Sequence, residues 1–216
     1  KIHSISQRDY VGKSFTSLVF DEEKLMSEVD LTLEYLVKGY LYPGISEEKL
    51  QNVRQGLSKV CRELASRDKV ICHRDYHSRN IMLPEKDDFV IIDFQDARLG
   101  VPQYDLCSLL EDCYYRLDDK NKEELKNRYW QMSPVVKAMY PDYQDFQTDY
   151  LLSSVQRLFK ALGSFAYIYH RRNDIRYLKY ISYGFENLRD KLKNLANKEK
   201  DFEVLLLQLS EIYYGP

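Results

Sequence analysis

The most constraining stretch of this chain is VICHRDYHSRNIMLPEKDDFVIIDFQDA, residues 70–97. Val70-Ile71-Cys72 is short and β-prone. The polar run HRDYHSRN follows at residues 73–80, then an apolar run at 81–83, a polar turn at 84–88, and a second apolar run at 89–92 that ends at Asp93. The two apolar runs are predicted to pair as a hairpin about the turn. That pairing brings Asn80 and Asp93 to one end of the hairpin, with Asp75 in the loop just before it. The stretch therefore reads as strand, polar loop, strand, turn, strand.

The flanks read as helices. Asp21 is placed to cap a helix whose first turn holds Glu22 and Glu23. Leu25, Val29, Leu33, Leu36 and Val37 then recur at helical spacing, which predicts a helix to residue 38. A second helix starts at Ser46, carries Leu50, Val53, Leu57, Val60, Cys61 and Leu64 on one face, and ends near residue 67. After Asp93 the pattern predicts helices alone, over residues 104–115, 121–140, 146–171, 174–198 and 201–213. The expected fold class is α+β and mostly helical, with one small β-hairpin holding the polar loop.

Composition narrows the function. The chain has 216 residues, long enough for one sizeable core or one large lobe. Its net charge of −2 argues against a broad basic face for nucleic acid. No apolar run reaches the 18 or more residues of a membrane span. The four cysteines form no CxxC pair, which favours reduced thiols in a cytoplasmic protein over structural zinc. Cys72, His73 and His77 are not read as a metal cluster, because Cys72 continues an apolar strand. Gly12-Lys13-Ser14 has the end of a phosphate-binding loop, but Gln7 stands where its first glycine belongs, so that motif is rejected.

The polar loop suits phosphoryl transfer. That reaction needs a group to orient or deprotonate the attacking hydroxyl, and a divalent metal on the phosphates. Mg²⁺ takes hard oxygen ligands. Asp75, Asn80 and Asp93 supply a carboxylate, an amide carbonyl and a second carboxylate. The pattern H-R-D-x-x-x-x-N is met in full by His73, Arg74, Asp75 and Asn80. Asp93 and Phe94 match the start of D-F-G, with Gln95 in place of the glycine. Arg79, inside the loop, is a candidate for stabilising transition-state charge.

These residues resemble the kinase-like superfamily, and more closely its aminoglycoside phosphotransferase and choline kinase group. HRDYHSRNIML followed by IDFQDARLGVPQYDLCSLLED is similar to the bacterial kinases of N-acetylmuramate and N-acetylglucosamine. Val155-Gln-Arg-Leu-Phe-Lys-Ala-Leu-Gly-Ser-Phe165 resembles a helix of the same group, with Leu158-Phe159 departing from its pattern. The likeness runs from residue 70 to residue 180. It implies a protein-kinase-like C-terminal lobe that uses ATP and Mg²⁺ on a small-molecule sugar. It implies Asp75 as catalytic base or orienter, and Asn80 and Asp93 as metal ligands. His73 and Arg74 would support the loop and Asp105 would brace it, although a plain Asp at a helix N-terminus reads the same way from sequence. Gln156, Arg157 and Lys160 become substrate-binding candidates; by spacing alone, Arg157 and Lys160 are equally a solvated basic pair.

A complete enzyme of this group also has a β-rich nucleotide-binding lobe, with a phosphate-covering loop and a lysine. Upstream of Val70 the chain offers neither. The expected organisation is therefore an upstream or hinge segment at residues 1–20 and a helical C-terminal lobe at 21–216. The nucleotide-binding lobe would lie in cis outside this chain, which alone should bind ATP weakly. Other acceptors (an aminoglycoside, choline, a hydroxy amino acid) and a non-catalytic binding module remain the alternatives.

Overall fold

A computed structural model describes residues 2–5, 17–84 and 89–215. The Gly12-Lys13-Ser14 run and most of the polar turn at 84–88 fall outside them. The chain is mostly helical, with two small antiparallel sheets of two strands each. It forms two compact units, each discontinuous in sequence.

The first unit combines Lys1–Phe20 with Arg67–Ser153. Strand β1 (Val70–Cys72) is followed by the polar loop, then β2 (Ile81–Met82) and β3 (Val90–Ile91). β2 and β3 pair with Ile81 opposite Ile91 and Met82 opposite Val90, the expected hairpin. A further strand, β4 (Arg98–Gly100), pairs antiparallel with β1. Helix alone was expected after Asp93, so β4 is a correction. Its partners lie far off in sequence: Leu99 also exchanges backbone hydrogen bonds with Leu18 and Phe20, at 2.8 Å each. A three-residue Arg-Leu-Gly run carries no alternation of its own to announce this.

Helix α3 (Gln103–Leu110) follows β4; helices α1 (Glu22–Thr32) and α2 (Glu47–Ser66) lie in the second unit. The helix expected over 121–140 is two: α4 (Asp119–Met132) and α5 (Pro134–Met139). Pro134 cannot donate an N–H to the preceding turn, while Ser133 caps the new helix by accepting from Val136 N–H. Val136, Tyr140 and Phe146 form a core beside Leu106, Tyr129 and Trp130. Below it a buried Lys122 reaches Glu111 at 2.6 Å, and Tyr150 donates to the same carboxylate at 2.7 Å.

The second unit combines Asp21–Ser66 with Ser154–Pro216. Asp21 caps α1 (Glu22–Thr32) by accepting from Lys24 N–H at 2.8 Å. The helix widens into a π-helical stretch over Leu33–Leu41, closed by Tyr42 N–H on Val37 O. Helix α2 (Glu47–Ser66) buries the apolar face read from its sequence. The long helix α6 (Tyr143–Arg172) lies in this unit from Ser154 onward. A short 3-10 stretch leads into α7 (Ile181–Lys198), and another into α8 (Glu203–Tyr214). Gly163 sets the distance between α6 and α1. A Cβ there would stand 2.0 Å from Thr32 Oγ1 and 2.7 Å from its Cα. The glycine that completes the resemblance at Leu162-Gly163 is thus needed for helix packing.

Candidate active site

The polar loop is a chain of tight turns. His77 N–H donates to Asp75 O at 3.1 Å, and Asn80 N–H to His77 O at 2.9 Å. Ser78–Asn80 makes one 3-10 turn that runs directly into β2. Asn80 ties the loop to the hairpin. Its Nδ2 donates to Asp75 O at 2.9 Å and to Asp93 Oδ2 at 3.4 Å, and its backbone O accepts from Ile92 N–H at 3.0 Å. The β2–β3 register places Asn80 and Asp93 together, as the spacing predicted.

The first half of the loop is held from α3. Asp105, buried in the first helical turn, accepts His73 N–H on Oδ2 at 2.7 Å and Arg74 N–H on Oδ1 at 3.0 Å. His3 Nε2 reaches the same Oδ2 at 2.9 Å, and its other ring nitrogen meets the Tyr129 hydroxyl. His73 is buried against Tyr76, with ring centroids 5.9 Å apart. Burial, and then the Asp105 charge, push the Tyr76 phenol above its ordinary pKa, so it stays neutral.

Two residues of the site carry a left-handed backbone that favours glycine: Arg74 at φ 78° and Asp93 at φ 68°. Such strain costs about 1–3 kcal/mol and persists where the surroundings over-determine it. Arg74 is pinned through its N–H by Asp105 and through its guanidinium by Asp96 Oδ2 at 2.6 Å. Asp93 receives Asn80 on one oxygen and Gln95 Nε2 on the other. Gln95, noted in the sequence only as a departure from glycine, thus orients the Asp93 carboxylate. Sequence reading missed Gln95, Asp96 and Asp112 as contributors. Their nearness in sequence to Asp93 and Asp105 was the available signal.

The amide nitrogen of Asn80 is committed to Asp75 O and Asp93 Oδ2, and an amide carbonyl and a carboxylate are the groups these two side chains offer a cation. An all-oxygen pair of this kind fits a hard divalent cation. The trio His3, Cys72 and Asp105 also brings ligand atoms within 4.8 Å of one another. It fits a metal poorly: burial raises the Cys72 thiol well above its ordinary pKa, and Asp105 is occupied by backbone N–H groups.

The other predicted residues sit apart in role. Arg79 is exposed and lays its guanidinium 3.9 Å over the Tyr114 ring. Gln156, Arg157 and Lys160 belong to the second unit. There Gln156 is buried and donates to Glu28 Oε2 at 3.1 Å. Burial alone pushes the Glu28 carboxyl up, but the Lys160 and Lys24 charges and the Gln156 amide outweigh it and hold the group below its ordinary pKa. A cavity of about 610 Å³ in the first unit is lined by Tyr76 of the loop, Phe89 and Ile91 of the hairpin, and Leu106, Leu109 and Arg128.

The helical body thus carries a turn-rich loop between short strands, with Asn80 hydrogen-bonded to Asp93 at the hairpin's end. The chain belongs to the phosphotransferase enzyme family, whose sequence profile matches residues 1–141. It is 32% identical over 160 residues to the N-acetylmuramate/N-acetylglucosamine kinase of Pseudomonas aeruginosa, a match covering 74% of this chain and 47% of that protein. The enzyme of the same name from Neisseria meningitidis is 31% identical over 159 residues, covering 73% of this chain and 47% of its own length. The match to these curated relatives thus spans less than half of their length. Among the described residues no helix is long and apolar enough to cross a membrane.

Proposed function

We propose that this chain is the catalytic and acceptor-binding lobe of a cytoplasmic, ATP-dependent kinase that phosphorylates a hydroxyl of an amino sugar. The observation that carries the reading is the coupling of Asn80 to both Asp75 O and Asp93 Oδ2, at 2.9 and 3.4 Å. It ties the loop that holds the candidate base to a pair of hard-oxygen donors. The names of the relatives favour an N-acetylated sugar as acceptor.

In this reading the Asp75 carboxylate orients the acceptor hydroxyl and takes its proton as the oxygen bonds to the terminal phosphorus of ATP and the bond from that phosphorus to the bridging oxygen breaks, releasing ADP. Asn80 Oδ1 and the Asp93 carboxylate would hold Mg²⁺. When bound, Mg²⁺ neutralises phosphate charge and aligns the transferred group. His73 and Arg74 shape the loop, and Asp105 fixes their backbone. Arg79 serves the sugar or its new phosphate, while Gln156 and Lys160 hold Glu28 in the second unit. The nucleotide is covered by a β-rich lobe supplied in cis by a longer polypeptide, consistent with the partial coverage of the relatives.

The test is product mass with the full polypeptide, ATP and Mg²⁺, across N-acetylmuramate, N-acetylglucosamine, an aminoglycoside, choline and serine. The expected result is a phosphate added to the N-acetylated sugars first. Transfer to choline or an aminoglycoside alone would replace the acceptor assignment, and no transfer to any hydroxyl would sink the kinase reading. Residues 1–216 alone are expected to bind ATP weakly and turn over slowly.

A further inference from the structure

The 3-10 turn Ser78–Asn80 delivers Asn80 to its place, yet its own N-cap residue, His77, makes no side-chain cap. The first N–H of such a turn has no partner inside the turn. Here that N–H, on Ser78, donates to Asp112 Oδ2 at 2.8 Å, a carboxylate 34 residues away. Asp112 is buried, and its other oxygen accepts Tyr114 N–H at 2.8 Å. Tyr114 in turn carries the Arg79 guanidinium at 3.9 Å and the His77 ring at 5.5 Å. One carboxylate therefore caps the loop's last turn and also shapes the segment whose ring supports the side chains of Arg79 and His77.

Asp105 and Asp112 stand seven residues apart, the first in the opening turn of α3 and the second just beyond its end at Leu110. The first grips the loop at His73 and Arg74, the second at Ser78. The base candidate, Asp75, lies between the grips. We infer that Asp112 is a positioning residue that caps the Ser78–Asn80 turn and so sets Asn80 for the metal. This rests on the kinase reading for its catalytic consequence, but the capping itself does not.

Two measurements separate them. In residue-resolved hydrogen exchange on the chain, Asp112→Ala should speed exchange of the Ser78 and Tyr114 amides at least about tenfold. Asp112→Asn, whose carbonyl still accepts one N–H, should restore part of the protection. The control is Asp118→Ala, which removes the exposed cap of α4 and should leave both amides unchanged. In the full polypeptide, Asp112→Ala should raise the Mg²⁺ concentration for half-maximal rate about fivefold or more, with partial rescue in Asp112→Asn and none of this in Asp118→Ala. Unchanged Ser78 exchange in Asp112→Ala overturns the inference whether or not the protein is a kinase. Should Asp112→Ala fail to fold, Asp112→Asn decides by the same amides. Altered exchange with unaltered Mg²⁺ dependence overturns the link to Asn80. A parent protein without kinase activity overturns the functional reading while the exchange result still decides the cap.

Discussion

The polar loop and the Glu28 cluster solve opposite problems with similar side chains. In the loop, buried carboxylates are spent on backbone N–H groups: Asp105 on His73 and Arg74, Asp112 on Ser78. The side chains of Asp75 and Asp93 then remain partly or fully exposed. In the second unit Glu28 is spent on other side chains, Lys24, Gln156 and Lys160. Backbone bracing fixes the path of the chain and leaves those two carboxylates toward the surface. Mutual neutralisation satisfies a carboxylate inside its own cluster. Under the proposed function, that difference separates a site that reacts from one that holds, and it is open to attack by substitution.

The largest effect is expected from Asp75→Asn in the full polypeptide. If Asp75 is the base of the proposed function, its loss should lower kcat by about 10²- to 10⁴-fold with a smaller change in KM. Near-normal turnover would place the reacting group elsewhere and undo the contrast. Next comes Gly163→Ala, where the new methyl meets Thr32. Overpacking should cost about 1–3 kcal/mol, read as a lower denaturation midpoint with the loop's chemistry per folded molecule retained.

Glu28→Gln should cost about 1.5–3 kcal/mol at pH 7, the worth of a hydrogen bond to a charged group. Its sharper signature is with pH. Because the folded Glu28 carboxyl is held below its ordinary value, its contribution is present above that value and lost as pH falls through the folded pKa. The parent should therefore lose stability below about pH 4.5 more steeply than Glu28→Gln, by thermal denaturation across pH 3–6. Equal slopes would mean that the cluster is not ionised as drawn. The smallest effect concerns the thiols. All four cysteines are buried thiols outside any disulfide, and burial pushes Cys61 up to about 12. Thiol titration of the native protein should be slow at pH 8 and become complete on denaturation. A fast-reacting cysteine would contradict the packing of whichever unit holds it.

Periodicity and spacing determined much of this by themselves. The β2–β3 register follows from apolar runs either side of a polar turn, and it forces Asn80 and Asp93 together. The apolar faces of α1 and α2 were legible because each repeats locally every three or four residues. The Ser133-Pro134 break was equally local, a cap followed by a residue without an N–H, though it is easily overrun when the flanking pattern is helical. Tertiary structure decided what depends on partners distant in the chain. β4 exists because β1 and residues 18–20 flank it. Helix α3 stops at Leu110 rather than near residue 115, and beyond it Asp112 is turned to Ser78. Gln156 faces Glu28 across 128 residues of sequence. A sequence reports the chemistry a residue offers and its local period. Whether a carboxylate is spent on a backbone N–H, on a lysine or on a reacting hydroxyl depends on which groups the fold brings within about 3 Å of it.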